Sequence, residues 1–171
     1  MDAESREREP METLLVVALA VAVVAMGLVA GYVFAYGNSV MSGLRSADDR
    51  TFVVASQKMI TAVPNPIFIG LSNLPVLALG AALIAGALSG AGWVAMLLIS
   101  SSLALYAATL GITFLVNVPL NNALLSVGTA VVELAQARSG FEEPWTRANA
   151  WRSATAVAAV ITSLVALVLL S

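Results

Sequence analysis

Ser102–Asn121 reads SLALYAATLGITFLVNVPLN, a stretch that is apolar overall yet carries polar groups at helical spacing. Ser102, Tyr106, Thr109, Thr113 and Asn117 follow one another in steps of 4, 3, 4 and 4. On an α-helix those steps keep all five on one face. Asn121 extends the row one turn further, past Pro119. An unpaired polar group in hydrocarbon is costly, so the row needs protein or water to face. Three or more other segments are therefore expected to close around it. Ser102 and Thr109 are expected to hydrogen-bond back to the preceding turn. Tyr106, Asn117 and Asn121 need partners beyond their own turn.

Working outward, the surroundings are apolar too. Of 171 residues, 60% are hydrophobic and 11% charged, and the mean hydropathy is +0.93. A soluble domain carries roughly 25% charged residues. Between Lys58 and Glu133 lie 74 residues without an Asp, Glu, Lys or Arg. Two crossings of about 20 residues each fit within that span. The net charge of −2 and the lack of a basic patch argue against a nucleic-acid partner.

The chain has no Cys and no His. Disulfides, thiolate metal sites and Cys nucleophiles are thereby excluded. The usual haem, copper and zinc ligands and the commonest general base are missing as well. The carboxylates lie outside the apolar spans, so neither a metal nor another cofactor is expected.

Residues 1–12 hold five acids, two arginines and a Pro, and read as a disordered acidic tail ahead of a four-helix transmembrane domain at 13–171. Thr13 to Tyr36 is the first crossing, with Gly27 and Gly31 forming a small-residue ridge on which another helix can pack. Asp48 or Asp49 is expected to cap an amphipathic helix over 50–63, lying in the interface with Gln57, Lys58 and Thr61 on the side opposite its apolar residues. Pro64-Asn65-Pro66 ends it. Ile67 to Leu88 is the second crossing, interrupted by Pro75, and Trp93 to Val116 is the third. Leu120, Leu124, Val127, Val131 and Leu134 predict a peripheral helix over 119–136. A turn around Ser139-Gly140 is expected to follow, with the last helix beginning near Glu142. The expected fold is all-α: a four-helix transmembrane bundle with two short amphipathic helices on one side.

Lys and Arg fall six to two in favour of the side bearing the two long connections. The positive-inside bias puts those connections in the cytoplasm and both termini outside. The chain reads as a multi-pass protein of the cell (plasma) membrane. The lipid bilayer, a small hydrophobic ligand and a second copy docking through small-residue helix faces are the expected partners.

The polar residues converge at the cytoplasmic end. Trp145, Asn149 and Arg152, spaced by 4 and 3, share a face of the last helix. Arg152 either snorkels to lipid phosphate or faces a cavity as a buried cation. The candidate substrate-binding set is Gln57, Asn65, Tyr106, Thr113, Asn117, Asn121, Asn149 and Arg152. Asn117 and Asn121 are expected to meet Asn65, Gln57, Asn149 and Arg152, with a small pocket between this cluster and Tyr106.

Tyr32 through Leu44 with its Met41-Ser42-Gly43-Leu44 end, Gln57, Asn65-Pro66-x-Phe68, Asn117-Val118-Pro119-Leu120-Asn121, Trp145 and Asn149-x-x-Arg152 resemble the anthrone-oxygenase-like family. The resemblance covers about residues 14–170. It implies a small four-helix membrane protein, and fungal members oxidise anthrones to anthraquinones with O₂ without metal or flavin. It also implies a His between the Asn and Arg of the last helix, where this chain has Ala150. Two readings follow. One is a cofactor-independent oxygenase acting on an apolar aromatic or quinol-like molecule, with Arg152 and Asn149 stabilising its anion. The other is a non-catalytic membrane protein that binds lipid or supports a membrane complex.

Overall fold

The computed structural model describes residues 3–128 and 131–170, with side chains for 8–128 and 133–170. Apolar composition and lipid solvent together select helix, because a helix satisfies its own backbone. Helix α1 spans Ala3–Ala35, starting inside the acidic stretch and containing Pro10. It continues through a π-helical stretch, Tyr36–Met41, and a last turn, Ser42–Leu44. Helix α2 is Asp49–Ala62, α3 is Pro66–Ser89 and α4 is Trp93–Ile112. A second π-helical stretch, Thr113–Asn117, leads into α5, Val118–Leu125. Helix α6 is Val131–Leu170. No strand occurs among the described residues. Among the described residues, four stretches are long and apolar enough to cross a membrane: Arg8–Leu44, Pro66–Ser89, Trp93–Leu125 and Glu133–Leu170.

The residues group into two compact units. The first comprises Met1–Ala30, Gly70–Ala108 and Thr155–Ser171. Small side chains let its helices approach closely: Ala78, Ala82 and Ala85 on α3, and Ala156, Ala159, Ser163 and Ala166 on α6, are all buried. Those steps of three and four make a continuous small-residue seam. At Gly86 a Cβ would meet the Met96 sulfur, so a larger residue there obliges the Met96 side chain to shift. Gly90, at φ +77, makes the turn between α3 and α4. Gly27 and Gly31 are exposed, with nothing within 4 Å of an added Cβ.

Two polar rows hold this unit together. Ser102 donates or accepts against Ser163 Oγ at 2.6 Å and lies 2.9 Å from the Ala159 carbonyl. It thus bonds across to α6, correcting the expectation that it serves its own turn. Close approach of small residues brings a foreign carbonyl within its reach. Tyr106, fully buried, donates to the Ser72 carbonyl at 2.8 Å. Ser72 lies beside Leu71, whose carbonyl Pro75 deprives of its helical donor.

The second unit comprises Gly31–Ile69 and Thr109–Ala154. Both short helices, α2 and α5, belong to it. Asp48 caps α2, accepting from the Thr51 amide at 3.0 Å and the Thr51 hydroxyl at 2.7 Å. Those two hydrogen bonds, the amide's first, hold its carboxyl below the ordinary aspartate range. The α2 helix does not simply lie on headgroups. Phe52 and Val53 enter a core with Met41, Leu124, Leu134, Phe141 and Trp145. Gln57, on the polar side of α2, is part-buried and donates to the Leu124 and Val127 carbonyls, closing the open end of α5.

The chain breaks elsewhere than expected. The 119–136 stripe is not one helix: α5 stops at Leu125, and Val131–Leu170 is continuous through Ser139, Gly140 and Pro144. A glycine inside a helix costs about 1 kcal/mol relative to alanine, and packing around residues 134–145 outweighs it. Leu134, Phe141 and Trp145 bury their side chains in the α2 core. Arg138 ties the same stretch to the 45–49 loop, donating to the Arg45 and Ala47 carbonyls and pairing with Asp49 and Glu142. Its guanidinium lies 4.7 Å from the Phe52 ring centre.

The alternation of spans, together with the positive-inside bias, makes a direct prediction. In intact cells, Gly92→Cys labels with an impermeant thiol reagent, whereas Ser46→Cys labels only after permeabilisation. Both positions are exposed, and the chain has no Cys of its own. The reverse pattern overturns the orientation, and equal labelling overturns α3 as a span.

Candidate binding site

Trp145, Asn149 and Arg152 stand one turn apart on the buried face of α6, at 4%, 2% and 9% exposure. Arg152 turns inward: its Nε donates to Asn149 Oδ1 at 2.9 Å, and its guanidinium carbon is 5.3 Å from the Trp145 ring centre. Snorkelling is thereby replaced by a buried cation. Asn149 Nδ2 in turn donates to the Val33 carbonyl on α1 at 3.0 Å. With its donor end committed there, the amide presents its oxygen to the guanidinium.

Two local distortions set this geometry. A Cβ at Gly37 would collide with Asn149 Nδ2, so only glycine at this point of the Tyr36–Met41 π stretch lets α6 come so close. The second π stretch has a cause in the sequence. Pro119 lacks an N–H and its ring would press on the Leu115 carbonyl. The chain widens before it, and the Val118 amide bonds five residues back to the Thr113 carbonyl. That wider turn buries Asn117 at 1% exposure. Its Nδ2 donates to the Trp145 carbonyl at 3.4 Å, and its Oδ1 is buried with no hydrogen-bond partner. One turn on, Asn121 Oδ1 accepts from Trp145 Nε1 at 2.9 Å.

Aromatic rings wall this group. Trp145 stacks on Phe141 at 5.9 Å and meets Tyr36 at 5.2 Å between ring centres. Tyr36 continues to Tyr32 at 6.2 Å, and Tyr32 to Phe68 at 5.0 Å.

The structure therefore joins Asn117, Asn121, Asn149 and Arg152 through Trp145, but not amide to amide. The expected meeting of Asn117 and Asn121 with Asn65 and Gln57 is corrected. Asn65 is exposed and caps α3, accepting from the Phe68 amide at 2.9 Å. Gln57 serves the end of α5. Backbone carbonyls at helix ends win these side chains because they are the nearest acceptors without partners. Thr113 bonds back to the Thr109 carbonyl at 2.8 Å, and Thr109 reaches the Arg152 carbonyl at 3.5 Å. Tyr106 belongs to the first unit, with Ser72.

The candidate substrate-binding set omits the residue at the centre, Trp145, and its neighbours Tyr32, Tyr36 and Gly37. The available signals were the 4-and-3 spacing that puts Trp145 with Asn149 and Arg152, and the step of 4 between the tyrosines. The first unit has an open apolar groove of about 320 Å³ lined by Ala20, Val21, Val24, Ala25, Leu71 and Leu74. Among the described residues no three His, Cys, Asp or Glu side chains converge as a metal site.

Residues 65–162 match the family model described as anthrone oxygenase. The chain belongs to the anthrone oxygenase family. No curated protein and no solved structure matches it. The matched stretch takes in Asn65, Asn117, Asn121, Trp145, Asn149 and Arg152, along with Ala150, and leaves Tyr32, Tyr36 and Gln57 outside it. The anthrone oxygenase match thus contains the Trp145–Asn149–Arg152 face but not the α1 residues that pack on it.

Gly37 and Gly43 give an internal control. Gly37→Ala forces Asn149 off the Val33 carbonyl and is expected to cost about 1–3 kcal/mol, as overpacking does. Gly43→Ala, with open space around it, is expected to be neutral or slightly stabilising. Thermal unfolding in detergent reads both. A Gly37→Ala protein as stable as Gly43→Ala contradicts the close approach.

Proposed function

We propose that this protein binds a small apolar aromatic molecule of anthrone or quinol type, holding one of its oxygens near Arg152 at the cytoplasmic end of a plasma-membrane bundle. The observation that carries the reading is the buried guanidinium against Trp145, oriented by Asn149 among tyrosine and phenylalanine rings. In a site screened from water, a fixed cation stabilises an oxygen on which negative charge develops far more than it would in bulk solvent. The aromatic rings suit a flat ligand. Membership of the anthrone oxygenase family supports the same ligand class.

The family's reaction replaces an anthrone methylene by a carbonyl: one oxygen atom of O₂ joins the carbon, and the other leaves with the two hydrogens as water. Here Ala150 offers no proton acceptor. The part this chain's residues suit is therefore binding and anion stabilisation, by Arg152 positioned through Asn149, with no cofactor invoked.

A second reading has its own observation. Asn121, Asn149 and Gln57 each end on a partner from another helix or its terminal carbonyls. Such bonds fasten helices at about 0.6 kcal/mol apiece, and a non-catalytic protein that binds lipid or supports a membrane complex would need nothing more of them.

Anthrone titrated into the detergent-solubilised protein separates the two. Under the binding reading it raises the wild-type unfolding temperature, and Arg152→Met weakens binding about 10- to 100-fold, the equivalent of a charged hydrogen bond. No anthrone response in a folded wild type, or an unchanged response in Arg152→Met, favours fastening.

A further inference from the structure

Asn117 has one end satisfied and the other not. Its side chain is 1% exposed, its Nδ2 donates to the Trp145 carbonyl, and its Oδ1 has no partner. Reversing the amide gives no relief, because the oxygen would then face the Trp145 oxygen, acceptor against acceptor. Trp145 Nε1 is committed to Asn121, Asn149 Nδ2 to Val33, Arg152 Nε to Asn149, and the Thr113 hydroxyl to Thr109. Buried acceptors are rarely left in this state, and each one calls for an explanation. The wider π turn ahead of Pro119 places this acceptor on the same Trp145 that the Arg152 cation covers with its guanidinium.

We infer that Asn117 makes the site selective for aromatic molecules that carry a hydroxyl group, over counterparts whose oxygen can only accept. The inference rests on the binding reading above. A ligand O–H supplies the donor that Oδ1 lacks. Anthrone supplies that O–H in its enol tautomer, whereas a quinone or a methyl ether sets a second acceptor against Oδ1 and leaves both desolvated without a bond. On this account Asn117 is a specificity-determining residue: it distinguishes the reduced, hydroxyl-bearing form of a ligand from the oxidised, carbonyl-bearing form. An oxidised product would then be held less tightly than its hydroxyl precursor, which favours its release.

The probes are 2-naphthol and 2-methoxynaphthalene, nearly equal in shape and differing in the O–H. Both are measured on the full chain in detergent by displacement of bound anthrone. The expected result is that 2-naphthol binds wild type about tenfold more tightly, the equivalent of one neutral hydrogen bond, and that Asn117→Leu binds the two equally. Asn117→Ala replaces Asn117→Leu if the larger side chain prevents folding, and the wild-type comparison stands by itself if neither variant folds. Equal binding to wild type overturns the inference while leaving the binding reading intact. It would mean that a buried water already satisfies Oδ1. A preference that survives unchanged in a folded Asn117 variant overturns it too. If neither probe nor anthrone binds, the binding reading falls, and the inference falls with it.

Discussion

A guanidinium buried in an apolar helix sets the terms for the second unit. Arginine costs at most about 2.5–3.5 kcal/mol on insertion scales, the value for the centre of a membrane helix. A hydrogen bond to a charged group returns about 1.5–3 kcal/mol, and a desolvated cation–π contact about 2 kcal/mol. Arg152 has both, from Asn149 and Trp145. Its burial is thus roughly offset, but only while each partner stays in place. Asn149 is fixed by the Val33 carbonyl, and that bond requires a glycine at 37. Trp145 is fixed by Asn121 and by stacking on Phe141. Asn117, the Pro119-induced π turn and the Phe52 core lie one contact further out.

This chain of dependence separates what the sequence reveals from what it conceals. The spans are legible because hydrocarbon excludes charge, so uncharged runs such as 59–132 declare themselves. The α2 cap is legible because a cap is a local hydrogen bond between residues three apart, Asp48 and Thr51. The end of α5 is not. Ser139-Gly140 looks like a turn by composition, yet Arg138, Phe141 and Trp145 gain more from a continuous helix than the glycine costs. Long-range packing decided that break, and periodicity does not carry it.

The candidate site was half legible for a related reason. Spacing shows that Asn117, Asn121, Asn149 and Arg152 must face inward, and all four are buried or partly buried. It does not say what they will meet. Helix-end carbonyls captured Gln57 and Asn65, and an indole N–H captured Asn121. The two π stretches were hidden because a pattern of fours and threes reads almost alike on α and π turns, although Pro119 and Gly37 mark both places. Spacing put Trp145 on the face of Asn149 and Arg152 but did not mark it as the centre. Its role comes from the rings and amides that fold onto it from α1 and α5.

The central claim is that this polar group, enclosed by aromatic rings, holds a small aromatic molecule rather than only joining helices. Mass spectrometry of the small molecules that copurify with the protein in mild detergent tests it most directly. The account predicts a hydroxyl-bearing aromatic compound with wild type that is lost from a folded Arg152→Met protein. Recovery of phospholipid alone from both proteins would contradict it.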